Sequence, residues 1–118
     1  MKRVDLRELD TLLSDDRIVF IACLAHWSPE SRMVEPVFDE LACEFAADVT
    51  VVAVDTDAPQ FVTFAKRWHV TWVPSAVLIN PYDDEQPTRT WDGAQPKTEL
   101  RHGLDSACAM KDRRASVT

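Results

Sequence analysis

Serine and histidine side chains cluster where an apolar run of the chain stops and a helix is predicted to begin. Ser28 and Ser31 carry hydroxyl groups that a neighbouring base can activate as nucleophiles, and His26 is the one base evident beside them. The same stretch is also an ordinary helix start, with Ser28 as N-cap, Pro29 at the first helical position and Glu30 in the first turn. Capping explains the pattern by itself, so we assign no catalytic residue here.

Three cysteines supply the other candidate nucleophiles. Cys23 falls inside an apolar run, which predicts a buried, inert thiol. Cys43 lies off the apolar stripe of its predicted helix, and Cys108 faces a helix core. The three are widely spaced without a C-x-x-C pair, so we expect reduced thiols rather than disulfides. The three histidines also show no metal-ligand spacing, and we predict neither a metal nor a cofactor.

Length and charge restrict the classes of function. The chain has 118 residues, of which 46% are hydrophobic, enough for one domain with a core and too few for two. Its net charge of −7 opposes binding to a phosphate backbone, so we expect no nucleic-acid partner. No apolar run approaches the roughly 20 residues that cross a bilayer, and the charged N-terminus lacks the core of a secretory signal. We therefore predict a cytoplasmic protein with no membrane partner.

The elements that position these residues follow from apolar periodicity. Strands are predicted at residues 18–25, 49–54, 76–79 and 88–91, and helices at residues 5–15, from Ser28, from Pro59 and through Cys108. Alternating strands and helices indicate a layered α/β sandwich in residues 1–110, followed by a flexible polar tail at residues 111–118. The second helix should kink at Pro36, and its predicted buried face consists of Met33, Val34, Val37, Phe38, Leu41, Ala42 and Phe45.

An ordered series of residues resembles the thioredoxin family over nearly the whole chain. The series comprises Ala25-x-Trp27, residues 28–31 at the family's active-site position, Pro36, Asp57 after a strand, Val73-Pro74-Ser75 and Gly93-Ala94. The resemblance implies a thioredoxin-like three-layer α/β sandwich, with a mixed central sheet of four or five strands and helices on both faces. It also implies that Pro74 is cis and that the Val73 backbone is free to pair with an extended peptide. The implied binding groove consists of Trp27, Pro29, Trp72, Val73, Pro74 and Gly93.

The chain departs from that family at the residues that do its chemistry. Ser28 and Ser31 stand where the resemblance places a pair of reactive cysteines, and a hydroxyl cannot form or break a disulfide. Ala22 stands at the position of a buried acid, and Ala53 at the position of the lysine that often partners it. The catalytic apparatus is therefore expected to be absent as a unit.

Taken together, these residues predict a redox-inactive, protein-binding domain with a chaperone-like, assembly or scaffold role. Its partner would be a protein or an extended peptide, with Trp27 and Trp72 as aromatic anchors unless Trp72 fills the groove. One alternative is a monothiol oxidoreductase or peroxide-reactive enzyme that uses Cys23 or Cys43. Another is a structural homodimer, because the few residues before the first helix leave a sheet edge open if no fifth strand forms.

Overall fold

Helices and strands alternate along the chain as the apolar periodicity predicts. The computed structural model describes residues 1–117, and their side chains as far as residue 114. The elements are β1 (Lys2–Arg3), α1 (Leu6–Leu13), β2 (Ile18–Leu24), α2 (Pro29–Glu44), β3 (Val49–Asp55), α3 (Phe61–Trp68), β4 (Ser75–Ile79), β5 (Thr88–Asp92) and α4 (Lys97–Val117).

The strands form one mixed sheet in the order β1-β3-β2-β4-β5. β2 and β3 run parallel, as the intervening α2 crossover requires, whereas β4 pairs antiparallel with both β2 and β5. The fold is therefore the predicted α/β sandwich, with five strands rather than four. β1 supplies the fifth, although it pairs with β3 only at Val52 and Ala53.

The central strand β2 is buried along its whole length, because side chains from helices pack on both of its faces. Phe20 faces one core, where its ring lies 5.5 Å from that of Phe38 and meets Trp91 edge-on at 6.0 Å. Its neighbour Ile21 faces the other core, beside Leu9 and Phe64. A fully buried aromatic or branched side chain contributes roughly 1.5–3 kcal/mol, so β2 anchors both layers.

One prediction about a helix face is wrong, and the last helix is longer than the sequence pattern outlined. The sequence pattern places Met33 on the buried face of α2, but 76% of its side chain is exposed. The buried stripe runs through Val34, Phe38 and Leu41, and Met33 lies about 100° around the helix from Val34. α4 continues through residues 111–117, where the sequence predicted a tail, and Thr118 lies outside the described residues.

Charge pairs accompany the extension of α4. Lys111 lies 3.3 Å from Asp48, and Arg114 pairs with Asp84 in the turn before β5. Neither pairing is visible in the local sequence, because the partners are 63 and 30 positions apart. Within the described part of the chain, no helix combines the length and the apolar character needed to span a membrane.

The close approach of α4 to Trp91 yields a prediction about Gly103. A Cβ atom at Gly103 would lie 2.7 Å from two carbon atoms of the Trp91 ring, and the Arg89 guanidinium lies 4.3 Å from the centre of that ring. We expect Gly103→Ala to lower the free energy of unfolding by about 1–3 kcal/mol, because the buried ring has little room to move. Urea denaturation measures the change.

The direction in which Gly103→Ala changes the stability of the protein distinguishes the Trp91 contact from ordinary helix propensity. A glycine-to-alanine substitution inside a helix ordinarily stabilises it by roughly 0.5–1 kcal/mol. Ser106→Ala, at an exposed position of the same helix, is the matched control and should have little effect. A Gly103→Ala protein that is more stable than wild type would contradict the tight contact with Trp91.

Candidate functional site

The residues that the sequence singled out lie together at one edge of the sheet, the edge at which β2, β3 and β5 end and β4 begins. In the strand registers, Leu24 at the end of β2 pairs with Asp55, and Cys23 pairs with Ser75 at the start of β4. Ser75 in turn pairs with Asp92 at the end of β5. The segments that follow β2, β3 and β5 and precede β4 therefore meet at this edge, and they carry Trp27, Asp57, Pro74 and Gly93.

The two serines at this edge are buried, and their hydroxyl oxygens accept hydrogen bonds from backbone N–H groups. Ser28 is the N-cap of α2, and its Oγ accepts a hydrogen bond from the Ser31 N–H at 3.2 Å. The Oγ of Ser31 accepts from the Ala25 N–H at 3.1 Å, and the Ala25 carbonyl accepts from the Ser28 N–H. The predicted capping role of Ser28 is confirmed, and Ser31 has a structural role that the sequence did not reveal.

The base considered for these serines faces a different partner. His26 is 79% exposed, and its Nδ1 lies 3.5 Å from Oδ2 of Asp57. Asp57 also accepts a hydrogen bond at 3.0 Å from Nε1 of Trp27, which fixes the edge of the indole. In the sequence, Asp57 stands out only as a residue that follows a strand. The parallel pairing of β2 and β3 places Asp57 beside Trp27, so this pairing is the feature from which the contact could have been predicted.

His26, Asp55 and Asp57 each place one potential ligand atom within 4.8 Å of the others. All three are exposed, and Asp57 is already engaged, since its N–H donates to Asp55 and its carboxylate accepts from Trp27. Exposed acidic groups are common without a bound ion, so we assign no metal ligand to them.

Two indole rings project from this edge. Trp27 and Trp72 are each 60% exposed, which is unusual for so large an aromatic side chain. Trp72 lies over Gly93, since a Cβ atom placed there would be 3.8 Å from the ring. Gly93 has a φ of +77° and donates its N–H to the Pro74 carbonyl at 2.8 Å. Trp72 and Gly93 thus form one surface, whereas the side chain of Pro74, which the sequence placed in the groove, is fully buried.

Val73 leaves its backbone open beside that surface. The Val73–Pro74 peptide bond is cis. Val73 lies outside the strands, and no hydrogen bond found among the described residues uses its N–H or carbonyl. The residue as a whole is half-buried.

The three thiols differ in their surroundings. Cys23 is fully buried, and burial raises the pKa of its thiol to about 12, with the neighbouring Ser75 hydroxyl opposing the shift. Partial burial and then the nearby Asp48 also raise the pKa of Cys108. Cys43 is exposed on α2. All three are free thiols, and the exposure of Cys108 is intermediate between that of buried Cys23 and exposed Cys43.

The alanines that drew attention in the sequence occupy adjoining positions. Ala22 and Ala53 are register partners across β2 and β3, and both are completely buried. The middle of the sheet therefore holds two methyl groups at the point where the resemblance implied an acid and a lysine. Neither residue leaves a buried charge that needs a partner.

The hydrogen bond of Ser31 leads to a stability prediction. Ser31→Ala leaves the buried Ala25 N–H without its acceptor, and we expect it to lower the free energy of unfolding by about 1–3 kcal/mol. Ser28→Ala, which removes the cap, should cost about 0.5–2 kcal/mol. Chemical denaturation gives both values, with Ser106→Ala as the exposed control. A Ser31→Ala protein as stable as wild type would contradict the structural role of this hydroxyl.

Comparisons with known proteins identify relatives along nearly the whole chain. A family model described as Thioredoxin matches residues 2–106. Thioredoxin from Mycobacterium tuberculosis is 31% identical over 104 residues, covering 88% of this chain and 85% of the relative. Thioredoxin 1 from Synechococcus elongatus is 36% identical over 87 residues, covering 74% and 77%.

A solved structure agrees with the fold. The crystal structure of chloroplastic thioredoxin z superposes with a TM-score of 0.77 at 19% sequence identity, covering 92% of this chain and 95% of that one. At this level of identity the likeness concerns the fold alone.

Proposed function

The chain belongs to the thioredoxin family, and we propose that it is a redox-inactive member that binds protein segments at the sheet edge around Trp27 and Pro74. The observation that carries this proposal is the arrangement at the start of α2. Ser28 and Ser31 are buried, and both accept backbone hydrogen bonds. We infer that they occupy the positions of the reactive cysteines of thioredoxins.

The chemistry of the edge supports this inference. Disulfide exchange requires a thiolate to attack a sulfur atom and a second thiol to resolve the mixed disulfide. A serine hydroxyl does neither. The register pair Ala22 and Ala53 also offers no group that can accept or donate a proton within the sheet. Dithiol exchange at this edge therefore has neither a nucleophile nor a proton carrier.

The features that suit binding are present at the same edge. Trp27 and Trp72 each expose 60% of the side chain, and tryptophan is among the residues that most often dominate binding energy. The open backbone of Val73 can pair with an extended chain by strand addition. Pro29 and Gly93 complete the surface. We therefore assign a chaperone-like, assembly or scaffold role, with a protein or extended peptide as partner.

A monothiol enzyme is the alternative. The names of the relatives and the exposure of Cys43 favour it. The raised pKa of Cys23 argues against that residue as the nucleophile, because the reactive species is the thiolate. Insulin reduction and peroxide consumption by wild type, lost in Cys43→Ser, would replace our proposal with this one.

A homodimeric structural subunit is the second alternative, and the shortness of β1 favours it. β1 covers β3 only at Val52 and Ala53, so part of the outer edge of β3 has no neighbouring strand. Light scattering over a range of protein concentrations distinguishes a homodimer from a monomeric binding domain. If the protein is a monomer at every concentration, the homodimer hypothesis is wrong.

The binding role predicts which side chains matter. We expect Trp27→Ala and Trp72→Ala each to weaken the binding of an unfolded chain by at least about tenfold, since truncating a tryptophan hot spot costs about 2 kcal/mol or more. The probe is the isolated, alkylated insulin B chain carrying a fluorophore, and the measurement is its fluorescence anisotropy. Both indoles are mostly exposed, so the variants should fold normally.

His102→Ala removes an exposed ring from α4 and is the matched control. Circular dichroism confirms that each variant is folded. If both tryptophan variants are folded and bind the B chain as wild type does, the sheet edge is not the binding site.

A further inference from the structure

We propose that the cavity between α1 and α3 binds a small carboxylate that carries an aromatic ring. The cavity has a volume of about 270 Å³. None of the residues that line it belongs to the sheet edge around Trp27 and Pro74, so this inference does not rest on the proposed binding function. It arises from an apolar floor, an aromatic wall and two guanidinium groups that meet in one concave site.

The floor of the cavity is apolar. α1 contributes Leu6, Leu9 and Leu13, whose spacing of three and four residues puts them on one face of the helix. Leu9 is buried, whereas Leu6 and Leu13 are only half-buried. Apolar surface therefore remains open to solvent between the two helices, and an apolar ligand that covers this surface gains free energy by removing it from water.

The opposite wall of the cavity is aromatic and comes from α3. Phe64 and Trp68 both line the cavity, and their ring centres lie 6.3 Å apart at an angle of 60° between the ring planes. Phe61 stacks on Phe64 with the ring centres 5.5 Å apart, which limits the movement of this wall. Aromatic rings pair favourably at centre distances of about 4.5–7 Å, so an aromatic ligand suits this wall better than a linear alkyl chain does.

Two guanidinium groups lie at the rim of the cavity, one from each helix. Arg67 lies over the Trp68 ring, 4.5 Å from its centre, and pairs with Asp10 at 3.7 Å. Arg7 also lines the cavity, and it forms an ion pair with no carboxylate among residues 1–114. Two positive charges and one negative charge leave the rim with a net charge of +1. A ligand carboxylate at the rim therefore meets a guanidinium that can bind it through two hydrogen bonds.

The volume of the cavity sets the size of the ligand. At about 30 Å³ per non-hydrogen atom, the share of a water molecule in the liquid, the cavity holds roughly nine such atoms. A phenyl ring with two methylene groups is about this size, so it can fill the cavity while an attached carboxylate stays at the rim. 3-Phenylpropanoate has this shape and is the probe. The net charge of −7 on the whole chain opposes any anion, so we expect a millimolar dissociation constant.

Three ligands with the same aromatic ring test the role of the carboxylate. 3-Phenylpropanoate is compared with the neutral 3-phenylpropanamide and with the cation 3-phenylpropylammonium. Binding is followed by NMR titration, through the backbone amide signals of Leu9 and Phe64 and the indole N–H signal of Trp68, which a Trp68→Phe variant identifies. We expect the carboxylate to bind about tenfold more tightly than the amide, and the cation to bind no more tightly than the amide.

Charge variants test the groups at the rim. Arg7→Gln with Arg67→Gln should lower the affinity for 3-phenylpropanoate to that for the amide. Lys66→Gln with Arg113→Gln removes the same charge at exposed positions that do not line the cavity, and it should change the affinity by less than about twofold. Asp10→Asn should raise the affinity several-fold, because it removes a repelling carboxylate and the ion pair that engages Arg67.

A variant that fills the cavity tests where the aromatic ring binds. Thr63 is exposed and lines the cavity, so Thr63→Phe places a ring in that space and leaves the core intact. We expect it to weaken the binding of 3-phenylpropanoate by at least about fivefold. Val62 is 62% exposed and does not line the cavity, so Val62→Phe is the matched control and should leave the affinity unchanged. Circular dichroism confirms that both variants are folded.

Three outcomes would overturn the inference. Equal affinity for 3-phenylpropanoate and its amide overturns the carboxylate as the recognised group. Binding that is unchanged in Thr63→Phe overturns the cavity as the site. Tighter binding of acetyl-Gly-Gly-Phe with a free C-terminal carboxylate than of 3-phenylpropanoate overturns the free acid as the ligand and replaces it with the end of a peptide chain. Each result leaves the proposed function of the sheet edge standing.

Discussion

The structure depends on how the end of β2 is tied to the start of α2. Three hydrogen bonds close this junction: Ala25 N–H to the Ser31 hydroxyl, Ser31 N–H to the Ser28 hydroxyl, and Ser28 N–H to the Ala25 carbonyl. Unmet backbone donors at a buried helix start would cost about 1–3 kcal/mol each. Because the serines satisfy them, Trp27 projects from a rigid turn instead of a loose loop. The serines that we propose stand in place of the reactive cysteines are also the residues that hold this turn in place.

The interior of the sheet agrees with this interpretation. Ala22 and Ala53 face each other across β2 and β3, where a charged pair would have to stay matched and hydrogen-bonded to be tolerated. Replacing both partners avoids the penalty of leaving one charge alone. The buried thiol of Cys23 next to them is kept neutral by the same apolar surroundings, which raise its pKa to about 12. The thiol of Cys23 is therefore a poor nucleophile, which agrees with our proposal.

The sequence predicted the fold because its signals are local and repeated: a continuous apolar run for β2, a Ser-Pro-Glu cap for α2, and alternating strands and helices. It also located both exposed tryptophans. The contacts it missed join residues far apart in the chain. Asp57 reaches Trp27 only through the β2 and β3 pairing, and the polar end of α4 pairs with Asp48 and Asp84. Met33 was misplaced because the periodic pattern did not define which edge of the α2 stripe is buried.

The central claim is that this edge keeps the shape of a thioredoxin site, and that the missing sulfur atoms, rather than the missing acid and lysine, prevent dithiol exchange. Insulin reduction by the Ser28→Cys/Ser31→Cys double variant, compared with wild type and the two single variants, tests it most directly. Our account predicts that the double variant gains dithiol-dependent reduction of insulin, and that wild type and both single variants show none. Reduction of insulin by the wild-type protein would contradict the account. So would a folded double variant that forms the disulfide between its new cysteines and still cannot reduce insulin.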